Sequence, residues 1–108
     1  MINKIKLLAD EHKYGFTYNI STDKLVKFGI VVAYAETQNC FGDEGLRKAY
    51  NHAIAHDMIV GGWFNSENGE FYFDSCKLFK SLDEAKAFGK ENHQIAIYDL
   101  TNLKEIIL

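Results

Sequence analysis

The spacing of apolar positions changes period several times along the chain, and each change predicts a new element. Ile5, Leu8, Ala9 and His12 fall at helical intervals within residues 2–13, with Gly15 placed for a left-handed cap. Strict alternation follows at Phe16, Tyr18 and Ile20 and again at Phe28, Ile30, Val32 and Tyr34. Ser21-Thr22-Asp23-Lys24 lies between the two runs as turn chemistry, so residues 15–35 read as a hairpin. A helix from Asp43 to about Asp57 is expected next, opened by the Asp43 carboxylate and striped by Leu46, Ala49, Tyr50, Ala53 and Ile54. Ile59–Asn65 and Glu70–Phe79 then flank Ser66-Glu67-Asn68-Gly69, the strongest local hairpin signal. Ser81-Leu82-Asp83-Glu84 is a capping box that opens a helix with Leu82, Ala85 and Phe88 inward and Asn92 at its end. A last hairpin is expected from Ile95–Asp99 and Leu103–Leu108 around Thr101-Asn102.

The pattern is thus helix then hairpin, three times over, in units beginning near residues 2, 43 and 81. It predicts one α+β domain spanning residues 1–108, in which three helix-plus-β-hairpin units form an antiparallel sheet covered on one face by helices. With 108 residues, the chain is long enough for one core that needs neither metal nor disulfide to fold. The two cysteines, Cys40 and Cys76, lie far apart in no metal-binding or redox motif and read as free thiols of a cytoplasmic protein. No stretch approaches the ~20 apolar residues of a membrane span, and the sequon Asn19-Ile20-Ser21 carries no weight outside a secretory compartment.

Charge narrows the partners. The net charge is −3, which argues against general nucleic-acid binding, although residues 1–30 hold five lysines against three acids. A nucleic-acid-associated role would fall to that segment, with Tyr18 and Phe28 as stacking residues.

Candidate chemistry concentrates on the second hairpin. Phe71 and Phe73 belong to the core face, and Glu70, Tyr72 and Asp74 to the other. A four-residue loop pairs Trp63 with Tyr72 on the outer face, whereas a three-residue loop with a bulge at Gly69 pairs it with Phe73 inside. Under the first register Trp63, Tyr72, Glu70 and Asp74 form an aromatic and acidic patch of the kind found at protein interfaces. Gly61-Gly62 reads as a strand bulge, with close approach of a second backbone as the alternative. The Gly62-Trp63 to Asp74 stretch superficially resembles the first hairpin of a WW domain, but lacks the second aromatic and the proline such modules require.

His52 and His56 have the His-x-x-x-His spacing that can present two imidazoles to one zinc ion; His93, Cys40 or Asp57 would have to supply a third ligand. That pair is the basis of an alternative reading as a small metal-binding or hydrolytic domain. Cys40, near a helix N-terminus, is a weaker candidate nucleophile opposed by Asp43 and Glu44, and Cys76 reads as a packed thiol. Glu67, Glu70 and Asp74 are read as solubilising acids rather than a catalytic pair, and Gly42-Asp43-Glu44-Gly45 carries acids where a phosphate would sit.

Tyr14-Gly15-Phe16-Thr17-Tyr18, Gly61-Gly62-Trp63-Phe64 with Asn68-Gly69-Glu70-Phe71-Tyr72-Phe73-Asp74-Ser75, and Gln94 through Asn102 resemble small uncharacterised proteins of Bacteroides-type bacteria and their phages or mobile elements. The resemblance covers most of the chain and implies a bacterial cytoplasmic accessory protein; it brings no activity, cofactor or catalytic residue. The leading expectation is a non-enzymatic interaction module that needs no cofactor and binds a protein partner, or itself as a homodimer, through an exposed sheet face or edge.

Overall fold

The computed structural model describes residues 1–108. Helices α1 (Ile2–Glu11), α2 (Gly42–Ala55) and α3 (Leu82–Glu91) each precede two strands: β1 (Phe16–Asn19) and β2 (Lys24–Leu25), β4 (Ile59–Asn65) and β5 (Glu70–Phe79), β6 (Ala96–Asp99) and β7 (Lys104–Ile107). One further strand, β3 (Ile30–Ala33), stands outside this scheme. All seven strands form one antiparallel sheet in the order β2-β1-β4-β5-β3-β6-β7.

The first expected hairpin is corrected by this order. Residues 30–33 form a strand, but they pair with β5 and β6 in mid-sheet, while β1 turns back only onto Lys24 and Leu25. Alternation specifies a strand and its faces without naming its neighbour. The crossing has a geometric consequence. Leu25 is level with Ser75 through Tyr18 and Val60, and Ile30 is level with Phe79, so a flat sheet would set Leu25 and Ile30 about 23 Å apart at ~4.8 Å per strand and ~3.3 Å per residue. Five residue steps reach about 18 Å at full stretch. The sheet must therefore curl strongly, in keeping with the twist of antiparallel strands.

All three helices pack on one face. Ile5, Leu8 and Ala9 of α1 and Leu46, Ala49 and Ala53 of α2 bury against Tyr18, Val60 and Phe73. A smaller cluster joins Ala85 of α3 to Ile30, Val32 and Ile97. The opposite face has no helix over it. Ile59 and Cys76, side by side on this helix-free face, are nevertheless buried.

Local signals behave as their chemistry requires, with two exceptions. Ser81 Oγ accepts from the Glu84 amide at the start of α3. Asp43, expected to cap α2, instead lies in its first turn and pairs with Lys6 at 3.1 Å, and Phe41 occupies the cap position. Gly61-Gly62 forms no bulge, since pairing runs unbroken from Ile59↔Cys76 to Asn65↔Glu70. Gly62 is required for another reason: a Cβ there would stand 2.4 Å from Phe16 Cε1 and 2.7 Å from Phe71 Cε1, and those two rings stack over it with centroids 6.0 Å apart.

Candidate functional site

The second hairpin closes through the four-residue loop Ser66–Gly69, with Gly69 at a φ of +74°. Asn65 Oδ1 accepts from the Glu67 amide and Asn68 Oδ1 from the Glu70 amide, so two asparagine side chains fix the loop length. This register pairs Trp63 with Tyr72 on the bare face. Their rings stack at 4.9 Å and 19°, and Trp63 remains 44% exposed. Phe41, bridged to Tyr72 from the loop before α2, adds a third ring at 5.4 Å, and Asn68 Nδ2 donates to the Tyr72 hydroxyl at 2.7 Å. The position opposite Asp74 is Gly61, and beyond it Thr17, so Asp74 borders a stretch of sheet with no large side chain. Burial alone pushes the Asp74 carboxyl up to about 6. Glu70 completes the patch at the end of the strand, opposite Asn65.

A second polar cluster lies on the helix side, in the seam between the two apolar clusters. Sequence reasoning singled out its histidines and Asp57 but not Ser75, Tyr34 or Asn92. His52 Nδ1 and Ser75 Oγ share a hydrogen bond of 2.7 Å, and His52 Nε2 is buried without a partner, 3.9 Å from Glu36 Oε1. His56 Nδ1 donates to the His52 carbonyl at 2.8 Å, one helical turn away. The two imidazoles lie flat on each other, 3.8 Å between centroids and 4° between planes. Tyr34 packs against both and donates its hydroxyl to Asp57, while Asn92 Oδ1 accepts from the Ala35 amide. Burial, and then the His56 charge, lower the His52 pKa, so the stability tied to its neutral ring is present above pH 6.5 and is lost as pH falls. Burial, followed by Asp57, raises the Tyr34 pKa well above its ordinary value.

This seam packs the fold. Ser75 is wholly buried, which keeps substrate from its hydroxyl. Neither His93, Cys40 nor Asp57 joins the stacked pair in a group of three metal-binding side chains. Cys40 is buried, and that burial raises its thiol pKa, with Lys48 opposing and Asp74 adding to the rise. Cys76 is pushed up further, again by burial first. Tyr18, a proposed stacking residue for nucleic acid, is only 1% exposed and donates to Asp23 at 2.6 Å, its pKa held at about 12 chiefly by burial. Phe28 is exposed, but the hairpin that would have carried both residues does not form.

Protein-family models, curated proteins and solved structures offer no match to this chain. No helix is long and apolar enough to cross a membrane. The functional reading therefore rests on the geometry of the bare face.

Proposed function

We propose that this chain is a non-enzymatic interaction module whose helix-free sheet face binds a protein partner. The observation that carries the reading is the stacked Trp63–Tyr72 pair, with Trp63 open on the sheet face that carries no helix. Exposed large aromatics are among the side chains that dominate protein interfaces. Leu78, Val31 and Tyr98 continue the apolar surface across the sheet. The sheet edges are poorer docking sites, because β2 offers two residues and β7 presents Lys104 and Glu105. A different protein suits the face better than a second copy. Its paired positions carry Glu70, Asp74 and Glu105 against Lys24, so two copies would oppose like charges.

The resemblance to Bacteroides-type proteins sets the test in such a cell. A photo-crosslinking residue in place of Trp63 is expected to trap a discrete partner, whereas the same residue in place of Lys86 or Glu91 on α3 is not. Crosslinks confined to the helix positions, or a product that is only the chain joined to itself, would contradict the proposal. The Trp63→Ala and Tyr72→Ala variants are expected to keep their circular dichroism spectrum and lose the partner at least tenfold.

A further inference from the structure

We infer that the notch bounded by Trp63, Gly61 and Asp74 receives a basic side chain, arginine or lysine, of the partner protein. The inference deepens the proposed function and rests on it. Three independent features of the notch point to a cation.

The first is an acid with no counterion. The ion pairs of the chain are Lys4–Asp23 and Lys6–Asp43, and neither reaches Asp74 or Glu70. Burial is the only cause of the shift in the Asp74 pKa, with no charge or hydrogen bond beside it, so this half-buried carboxyl has no partner within the chain. An acid in that position is costly to ionise, and a cation delivered by a partner would remove much of that cost. The second feature is the residue across the strand. Gly61 stands directly opposite Asp74, and Trp63 is the next residue on the same face, so no β4 side chain stands between the carboxyl and the indole. Cys76 Sγ, 3.1 Å from where a Cβ at Gly61 would lie, closes the floor over the buried glycine. The third is the aromatic wall. Indole and phenol rings attract a cation over their faces, Trp most strongly, and a guanidinium can lie on a ring while its edge meets a carboxylate. Glu70, at the far end of the Tyr72 ring's strand, adds a second acid at the rim.

Trp63 is the single tryptophan of the chain, so its fluorescence reports on the notch directly. The probe is a decapeptide of alternating arginine and glycine, titrated at pH 7.5 against the intact chain and Asp74→Asn, with a glutamate–glycine decapeptide as control. The expected result is a saturable change with the arginine peptide alone, about tenfold weaker in Asp74→Asn and similarly weakened at pH 5, where the carboxyl is protonated. Equal binding by Asp74→Asn, no saturable change, or an equal response to the glutamate peptide would overturn the inference. The two proposals fail separately. A partner crosslinked at position 63 and bound equally by Asp74→Asn leaves the interface in place and removes the basic anchor; loss of the crosslink removes both.

Discussion

Asp74→Asn is expected to stabilise the protein at pH 7.5 by about 1–3 kcal/mol and to change little at pH 3.5. Burial raises the folded pKa from 3.8 to about 6, so the native state holds its proton more tightly than the unfolded chain does. Stability on this account is highest below 3.8, falls between 3.8 and about 6, and carries the full penalty above that. Asparagine keeps the shape of the side chain and never ionises. Urea unfolding of both proteins at the two pH values makes the comparison, and the difference between them isolates this one group from the other acids. A variant equally or less stable at pH 7.5 would mean that the carboxylate has a partner within the chain. Natural stability given up at one residue is a mark of a functional site, which is why this acid, rather than the histidine pair, anchors the functional account.

Gly45→Ala is expected to destabilise by about 3 kcal/mol, although the same change in an exposed helix interior ordinarily gains about 1 kcal/mol. Gly45 lies in the first turn of α2, and a Cβ there would stand 2.4 Å from the Cys40 carbonyl carbon and 3.0 Å from its Cα. Those are backbone atoms, held in place because the Cys40 carbonyl accepts from the Phe73 amide at 2.8 Å. The helix must tilt or the loop must move, and the loop carries Phe41 onto Tyr72. Thermal unfolding beside the exposed neighbour Arg47→Ala, expected within about 0.5 kcal/mol of the parent, separates the clash from any general weakness of α2. A silent Gly45→Ala would show that the helix does not seat so closely.

Local chemistry made most of the architecture readable. Helical spacing placed Ile5, Leu8 and Ala9 and then Leu46, Ala49 and Ala53 in the core, and the asparagine-rich loop after Asn65 brought the second hairpin back on itself. What the chain does not spell out is which strand lies beside which. Ile30–Ala33 alternates as a strand should, yet its neighbours β5 and β6 lie more than forty residues away, and only the curl of the finished sheet brings them together. The same nonlocality hid the character of Asp74. Beside Tyr72 and Glu70 in sequence it reads as a solvated hairpin acid, and its partial burial depends on residues that the fold alone brings around it. His52 and His56 were legible as a pair, but their roles follow from Ser75 and Tyr34, residues of two other segments that no spacing rule links to them.

A carboxyl that waits for a partner's cation and one already paired within the chain differ in where they titrate. Carbon-detected NMR titration of the Asp74 side-chain carboxyl, with and without the arginine–glycine decapeptide, reads this directly. A midpoint near 6 for the chain alone, moving down by a unit or more when the peptide is bound, is the expected result. A midpoint near 4 in the free chain, or one that the peptide leaves in place, would contradict it.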